Sequence, residues 1–352
     1  MDLLNKMKAR FSAWCGNVIA VYEEKQFQRD LATLMPLAEK RFASHPHKQS
    51  ALYMAKQSFD YLRFPVGPKT NFEQISLYFS LSLNIIEDIL QLQRFVGIQP
   101  MGGPVGLSYV MEYKVSDELT APLKLEVVSK PTVAVSRKYD TSFPIEVMQD
   151  MTASMNRESG RDEVIGAVRQ ELADEWFGMV LKQLLDATSS NIDVDLPLTN
   201  LTEKDGNALE WAIMRASNEI ATNSKRGAGN YAILSPLEVS VLANHSSQYQ
   251  AVEQSPIPNR IQLVGVLNEK VKIYQHDFTP ERLSTIIVGY KGVGETDAGY
   301  VLSPYIVMLP QGTRMDMSTF QPKMVFANRH GSSSYDGFTN GSYYCTVTPN
   351  YS

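Results

Sequence analysis

The chain has 352 residues, 43% of them hydrophobic and 20% charged, with a formal net charge of −5 at pH 7. This composition is typical of a globular protein with ample core material, and a chain of this length normally folds into two or three domains. The negative charge argues against a protein that mainly neutralises nucleic acid phosphates, and Cys15 and Cys345 form no CxxC pair of the kind that binds metals or exchanges disulfides.

The N-terminal region is helical in pattern. Apolar residues from Leu4 to Val18 recur at helical spacing, and lysine and arginine interrupt them, so no apolar run of signal-peptide or membrane-spanning length occurs. Further helices are predicted over residues 24–42 and 49–62, and the apolar segment 72–95 fits helix or strand, with its later part helical. We expect a protein that is cytoplasmic when made and helical at its start.

The segment from Gln99 to Tyr139 has the pattern of a long β-hairpin. Apolar residues on one face alternate with more polar neighbours between positions 107 and 114, and Val133 and Val135 alternate in the same way. An isolated hairpin is marginally stable and no third strand is nearby in sequence, so we expect it to rest on another molecule. The predicted contact residues are Met101, Leu107, Tyr109, Met111 and Tyr113. The glycines that give the hairpin root its backbone freedom are Gly102, Gly103 and Gly106.

The rest of the chain predicts mixed α/β structure. Ser142-Phe143-Pro144 opens a helix through about residue 153, and a long amphipathic helix follows from Arg161 to Leu185, with Asp174 on its polar side. Residues 186–206 read as polar and irregular, and the serine-, glycine- and tyrosine-rich tail 331–352 is expected to be poorly ordered unless a neighbour holds it. The other predicted strands are 231–234, 262–267, 271–274, 284–290, 299–309 and 319–326, and the other predicted helices are 208–222 and 236–243.

No convergent set of catalytic or cofactor-binding residues is evident. Residues 289–296 resemble a phosphate loop, but a Walker loop has lysine directly after its last glycine, so a turn between strands is favoured. His45 and His47 flank a proline and have no third ligand. The remaining histidines, His245, His276 and His330, are scattered without a nucleophile motif. The acidic residues Asp186, Asp193, Asp195 and Asp205 lack EF-hand spacing. We therefore expect no metal, no cofactor and no enzymatic activity.

Five sequence blocks follow one another between residues 99 and 331: 99–114, 137–151, 226–244, 288–310 and 320–331. The first reads QPMGGPVGLSYVMEYK and the fourth VGYKGVGETDAGYVLSPYIVMLP. Together they resemble the major capsid proteins of T-even-type tailed phages, which have the Hong Kong 97-type fold. The resemblance covers residues 95–331, about two thirds of the chain.

The resemblance implies an α+β fold of Hong Kong 97 type with a long spine helix in its peripheral domain. It implies an N-terminal arm over 1–98, an extended loop over 99–141, a peripheral domain over 142–201 and 297–331, an axial domain over 202–296 and a tail over 332–352. In the family, the extended loop lies across a neighbouring subunit, and axial domains meet at five-fold and six-fold centres. T-even relatives also carry a propeptide cleaved after a glutamate that follows an aliphatic residue, and the sequence departs from them in having a shorter arm. Ile85-Ile86-Glu87 loosely matches such a site, but so short a pattern often occurs by accident, and we expect no processing there.

The implied function is structural: hexamers and pentamers of this chain would form the icosahedral shell around double-stranded DNA. The implied partners are other copies, scaffold, portal, vertex or decoration proteins, and DNA contacted non-specifically at the inner wall, with no membrane and no cofactor. The chain would assemble in the host cytoplasm and reside in the virion, and the root glycines would act as a hinge during expansion. The alternatives are an encapsulin-type nanocompartment shell and, more distantly, a mixed α/β enzyme.

Overall fold

The computed structural model describes residues 26–62, 72–114, 124–142, 157–188, 190–197, 201–252, 261–276, 285–315, 322–335 and 343–351. The chain divides into two compact units. The first takes its residues from Met1–Glu87, Ser136–Ile165 and Ile306–Arg329, and the second from Asp88–Val135, Gly166–Tyr305 and His330–Ser352. The predicted helices over 4–18 and 143–153 lie outside the described residues. Within the described ranges, none of the helices has the length and hydropathy needed to span a bilayer.

The N-terminal helices of the first unit share a hydrophobic core. Helix α1 covers residues 26–41 and α2 covers Lys48–Leu62, which confirms both predictions, and α3 covers Phe72–Gln91. The Phe59 ring lies 5.1 Å from Phe27 and 5.8 Å from Phe79 between centroids. The described part of the predicted arm is therefore a packed helical cluster.

The Ile85-Ile86-Glu87 motif lies within α3. Both isoleucine side chains are fully buried, and Glu87 forms an ion pair with Arg41 of α1. A protease that cleaves after Glu87 would need an extended substrate, so the helix would first have to unfold. The folded chain therefore offers no accessible cleavage site at this motif.

The remaining elements make the fold α+β, as predicted. The strands are β1 Gly97–Ile98, β2 Val105–Lys114, β3 Lys124–Val133, β4 Val135–Ser142, β5 Ser190–Leu196, β6 Tyr231–Leu234, β7 Tyr249–Ala251, β8 Ile261–Leu267, β9 Val271–His276, β10 Ile286–Gly289, β11 Tyr300–Met315, β12 Pro322–Ser334 and β13 Tyr344–Tyr351. The helices are α4 Arg157–Asp186, α5 Glu203–Ser224 and α6 Pro236–His245, and a 3₁₀ turn covers Leu92–Arg94. The strands form sheets ordered β1-β11-β12-β4 and β5-β13-β10-β6-β9-β8-β7, and β2 pairs with β3 alone.

The long helix α4 confirms the prediction for residues 161–185. Its apolar positions Leu172, Trp176, Val180 and Leu184 are buried. The prediction that Asp174 faces away from the core is wrong, because its side chain is only 6% exposed. Ala173, Phe177, Met179 and Leu181 are buried as well, so α4 is covered on more than the single face that the amphipathic pattern indicated.

The seven-stranded sheet confirms the four predicted strands between 231 and 290 and adds three that were not predicted: β5, β13 and the short edge strand β7. Strand β5 lies in the stretch that was expected to be irregular, where Ile192, Val194 and Leu196 alternate inward and the intervening residues alternate outward. Strand β13 lies in the tail that was expected to be poorly ordered. It pairs in parallel with β5 and antiparallel with β10. The expectation of a poorly ordered tail is wrong for residues 343–351, because both edges of β13 are hydrogen-bonded and Cys345 and Val347 are buried.

Helices α5 and α6 bury their apolar sides against this sheet in one hydrophobic core. Helix α5 begins with a capping box, in which the Asp205 carboxylate accepts hydrogen bonds from the Thr202 backbone N–H at 2.8 Å and from its hydroxyl at 2.7 Å. Asp205, one of the acidic residues considered as a cation ligand, is thus part of a helix cap.

Candidate functional site: the hairpin and its exposed face

Strands β2 and β3 form the predicted hairpin in an unbroken antiparallel register, from Val105 opposite Val133 to Lys114 opposite Lys124. Residues directly opposite each other project to the same side of a two-stranded sheet. The odd-numbered residues of both strands therefore share one face, and the even-numbered residues share the other. The described side chains show that one face is exposed and the other is buried against the second unit's own residues.

The exposed side is continuous and mainly apolar. Its exposed side chains include Val105 at 65%, Leu107 at 54%, Tyr109 at 44%, Val127 at 57% and Val133 at 62%. The register places Leu107 beside Pro131 and Met111 beside Val127, so these side chains adjoin one another. We call the surface formed by Val105, Leu107, Tyr109, Met111, Val127, Pro131 and Val133 the exposed hairpin face. Contiguous apolar surface of this kind marks a site of protein–protein contact.

The opposite side is held by a cluster of buried hydroxyl groups. Ser108 Oγ lies 3.0 Å from Thr132 Oγ1 and donates to Ser333 Oγ at 2.9 Å. Tyr335 Oη donates to the Ser108 carbonyl at 2.8 Å. Since buried hydroxyls are costly unless hydrogen-bonded, this cluster fixes the hairpin in one orientation. We call Ser108, Thr132, Ser333 and Tyr335 the hydroxyl cluster.

Two further contacts join the hairpin to the segment after β12. Lys130 Nζ donates to the Ser334 carbonyl at 2.6 Å and lies 4.7 Å from the centroid of the Tyr335 ring. Val110 packs with Val301 and Tyr335 in a small apolar core. One face of the hairpin is therefore supported within its own chain, and the expected contact with another molecule concerns the exposed face only. This support comes from residues about 200 positions later in the sequence, which a search for a neighbouring strand does not detect.

The outer edge of β2 is already occupied near the root. The Gln99 side-chain amide pairs with the Tyr109 backbone as a neighbouring strand would. Its Nε2 donates to the Tyr109 carbonyl at 2.6 Å, and its Oε1 accepts from the Tyr109 N–H at 2.8 Å. The Met111 N–H donates to the Thr296 carbonyl at 3.0 Å, and the Ala134 N–H donates to the Pro104 carbonyl at 2.8 Å. The root and the lower part of β2 are thus tied to the second unit.

The predicted contact residues have different positions. Leu107 and Tyr109 are exposed and Met111 is half-buried, whereas the side chain of Tyr113 lies outside the described set. Met101 does not belong to the exposed surface, because it precedes β2 and is only 4% exposed. Its N–H donates to the Pro304 carbonyl at 2.9 Å. Sequence reasoning missed Val105, Val127 and Val133, although the alternation of Val127, Ser129, Pro131 and Val133 could have identified them.

At two of the three root glycines, Gly103 and Gly106, the backbone conformation is one that other residues also adopt. The φ angles at Gly103 and Gly106 lie outside the left-handed region, and a Cβ at Gly103 would have the Val105 carbonyl oxygen as its nearest neighbour, at 3.8 Å. A Cβ at Gly106 would lie 2.9 Å from the Met101 sulfur. Gly102 is exposed beside them. In this conformation a Cβ at Gly106 would push against the Met101 side chain, whereas Gly103 has room for a Cβ.

The histidine and acidic residues that were considered as metal ligands or catalytic groups form no common site in the part of the chain that the structure describes. Across the described ranges, no group of three or more histidine, cysteine or acidic side chains is placed to hold a metal ion. The rings of His45 and His47 lie 6.0 Å apart, tilted at 54°, in the turn between α1 and α2, and burial lowers the pKa of His45, with His47 adding to the effect. Residues 289–296 form a turn between β10 and β11, as predicted.

Comparison with known proteins gives one consistent family. The family model described as major capsid protein Gp23 matches residues 115–349, about two thirds of the chain. The major capsid protein of Enterobacteria phage T4 is 28% identical over 223 residues, which cover 56% of this chain and 42% of the relative. The major capsid protein of Vibrio phage KVP40 is 33% identical over 132 residues, covering 35% of this chain and 25% of the relative. The chain thus matches less than half the length of either relative.

Solved structures from phages also align with this chain, at lower sequence identity than the relatives above. A chain from Mycobacterium phage Bobi aligns with a TM-score of 0.44 and 15% identity, over 75% of this chain and 91% of that one. The capsid of the Myoviridae phage XM1 aligns with a TM-score of 0.41 and 10% identity, over 74% and 91% respectively.

Proposed function

The chain belongs to the family of the major capsid protein Gp23, and from that premise we propose that it is a shell subunit. Copies of it assemble into the hexamers and pentamers of an icosahedral head that encloses the double-stranded DNA of a tailed phage. The exposed hairpin face carries the proposal, because it combines a rigid attachment with apolar side chains directed to solvent. The partner of this face is a second copy of the chain, over which the hairpin lies as an extended loop.

The hairpin is well arranged for such a contact. The hydroxyl cluster and Gln99 hold one side of it, so little conformational entropy is lost when the other side docks. Tyrosine and aliphatic side chains such as Tyr109 and Leu107 are typical of the fully buried centre of an interface. The contact joins two different surfaces on neighbouring copies, and many weak contacts of this type add up when a shell closes.

We assign the fold to the Hong Kong 97 type. In this assignment α4 is the spine helix of the peripheral domain, and the seven-stranded sheet with α5 and α6 is the axial domain. The axial domain then extends beyond the predicted 202–296 to include β5 and β13. Scaffold, portal, vertex and decoration proteins are the expected partners, and the net charge of −5 lets packaged DNA contact the inner wall without binding tightly.

The family is structural, so we propose no catalytic activity. The family match also favours a phage shell over the encapsulin-type alternative. We place the assembled chain in the virion and its assembly in the host cytoplasm.

The hinge at Gly102, Gly103 and Gly106 is tested by Gly103→Val. Because a Cβ has room at Gly103 and its φ angle lies outside the left-handed region, we expect the substituted chain to fold and assemble normally. If the root also bends during expansion, particles of this variant remain unexpanded under conditions that expand unsubstituted particles, as measured by particle diameter. Normal expansion of Gly103→Val particles would remove the hinge from the mechanism.

The shell function is tested by electron microscopy of the purified chain, fractionated by size, alone and with co-expressed scaffold. The proposal predicts closed shells or sheets of hexamers. A stable monomer under every condition, with no ordered assembly, would contradict it.

A further inference from the structure

The turn between β10 and β11 presents one aliphatic side chain to solvent. We call residues 290–298 the Val293 turn. Val293 lies between Gly292 and Gly294 and is 98% exposed, more than any other large hydrophobic side chain in the described ranges. A turn that only connected two strands would place a polar residue or glycine at such a position without loss.

The backbone of this turn is fixed from within. The Gly292 N–H donates to the Asp297 carbonyl at 2.9 Å, and the Asp297 N–H donates to the Gly294 carbonyl at 3.2 Å. Lys291 is buried at 8% exposure, and its ammonium donates to the carbonyls of Gly292 at 2.9 Å and Gly294 at 2.6 Å. The lysine therefore binds the carbonyl oxygens of the two glycines on either side of Val293. Burial lowers the pKa of Lys291, and the nearby carboxylates Glu295 and Asp297 act in the opposite direction.

Side chains from two other parts of the subunit also hold the turn: the loop after α5, and the residues around β1. Arg226 donates to Asp297 Oδ1 through Nε at 2.9 Å and Nη2 at 2.8 Å, and both side chains are largely buried. The Asn230 amide pairs with the backbone of Lys291, since its Nδ2 donates to the carbonyl at 2.7 Å and its Oδ1 accepts from the N–H at 3.1 Å. Glu295 accepts from Gln93 Nε2 at 3.0 Å and from the Ile98 N–H at 2.7 Å.

These contacts direct every charge of the turn away from its tip. Lys291, Glu295 and Asp297 are all bonded within the subunit, so the tip is two glycines and an isopropyl group. Burying charged groups is unfavourable unless they are paired, and an exposed aliphatic side chain contributes nothing to the fold. The tip carries no positively charged side chain of the kind that neutralises a phosphate backbone. A preorganised apolar tip is suited to binding a small apolar depression, because little entropy is lost on docking.

The Val293 turn is joined directly to the hairpin. The Thr296 carbonyl accepts from the Met111 N–H of β2 at 3.0 Å, and the Glu295 carbonyl accepts from Gln99 Nε2 at 3.3 Å. Whatever fixes β2 also fixes the turn, so the exposed hairpin face and the tip move together. A neighbouring copy that receives one of them lies beside the other.

We propose that the Val293 turn is a preformed contact knob, whose Val293 side chain enters an apolar depression on a second copy of this chain beside the exposed hairpin face. The inference rests on the proposed shell function and adds to it a second contact, separate from the hairpin itself. Lys291, Arg226 and Asn230 are positioning residues of the knob, since they act on its shape and do not contact the neighbour.

The test measures the reactivity of a thiol at the tip. Val293→Cys is made together with Cys15→Ser, and the remaining Cys345 is only 1% exposed. The rate of maleimide labelling is measured in unassembled subunits and in purified assembled particles of the same variant. The proposal predicts fast labelling of the free subunit and a rate at least tenfold lower in particles. An unchanged rate in particles would overturn it, because the tip would then still face solvent.

A second variant shows whether the contact matters for assembly. Val293→Asp leaves the thermal unfolding midpoint of the free subunit unchanged, because the side chain makes no internal contacts, but it reduces the yield of particles at least tenfold. The control is Leu237→Asp, which makes the same kind of change at another exposed aliphatic side chain. Leu237 lies in the first turn of α6 and is 48% exposed, and we expect its substitution to leave the yield of particles unchanged. If Val293→Asp assembles as well as the unsubstituted chain, the knob is wrong. If the unsubstituted chain forms no particles, the proposed function itself fails, and the knob fails with it.

Discussion

At the scale of single residues, the hydroxyl cluster attaches the hairpin through polar groups that must all be satisfied. Tyr335→Phe removes one hydroxyl and leaves the ring under Lys130 in place. A buried hydrogen bond contributes about 1 kcal/mol to stability, so we expect a loss of roughly that size in the free energy of unfolding. Urea denaturation of the unassembled chain measures it.

The matched control is Tyr109→Phe, which removes the same atom from the exposed hairpin face. Surface changes of this type alter stability by less than about 0.5 kcal/mol. If both variants are equally stable, the hydroxyl cluster does not hold the hairpin.

Asp205 makes the stability of α5 depend on pH. Hydrogen bonds from the Thr202 hydroxyl and backbone N–H hold the pKa of Asp205 below its ordinary value of 3.8. Because the folded pKa is the lower one, the stabilisation is complete above about pH 4 and is lost as the pH falls through the folded value. Asp205→Asn should therefore be less stable than the unsubstituted chain at pH 6, and the difference should shrink towards pH 2.

Chemical denaturation at several pH values measures this difference. The exposed neighbour Glu203 lies in the same first turn, and Glu203→Gln serves as the control. A difference for Asp205→Asn that stays constant from pH 6 to pH 2 would rule out the capping carboxylate as its source.

Sequence reasoning at this scale succeeded where a residue's environment follows from its near neighbours. Alternation along β2 placed Leu107 and Tyr109 on one face, and both are exposed there. It failed for Met101 and Asp174, whose burial depends on residues distant in sequence. The hydroxyl cluster was also missed, since Ser108 and Ser333 are separated by 225 positions.

At the scale of elements, the Val293 turn gives a matched pair of glycine substitutions. A Cβ at Gly292 would overlap the Asp297 carboxylate, whereas at Gly294 the nearest atom would be Thr296 Oγ1 at 3.8 Å. Gly292→Ala should destabilise the chain by about 1–3 kcal/mol through overpacking. Gly294→Ala should be neutral or slightly stabilising, because it restricts the unfolded chain. Thermal unfolding of both variants measures the difference. Equal midpoints would show that the Asp297 side chain does not pack against Gly292.

Strand β13 turns the end of the chain into a central part of the seven-stranded sheet. Removing residues 344–352 should abolish cooperative unfolding, because β5 and β10 would lose their shared neighbour. Val347 is fully buried, and Val347→Ala should cost about 2 kcal/mol, while the exposed Asn350→Ala should change little. A shortened chain that melts at the original temperature would mean that the tail is dispensable.

Elements with a clear local period were predictable, and those defined by distant pairing were not. The helices at 26–41, Lys48–Leu62 and Arg157–Asp186 each repeat apolar residues at helical spacing. Strand β5 is seven residues long within a polar stretch, and β13 follows a serine- and glycine-rich segment. Because the two strands pair with each other across about 150 positions, neither has a strong signal of its own.

At the scale of the whole molecule, the family could be predicted because five blocks keep their order along the chain. The assignment of axial and peripheral domains remains a prediction, and the boundaries of the two compact units differ from it. The N-terminal helices illustrate the limit, since helical periodicity predicted their existence but not the core that they share. Packing of this kind depends on which faces meet, and a single sequence does not specify that.

The central claim is that the exposed hairpin face joins copies of this chain into a shell. Its most direct test is sedimentation velocity of the unsubstituted chain beside the double variant Leu107→Asp and Tyr109→Asp, under conditions in which the unsubstituted chain assembles. Both side chains project to solvent, so the variant should fold normally, sediment as a free subunit and keep the same thermal midpoint. Assembly of the variant into particles of the same size and yield would contradict the claim.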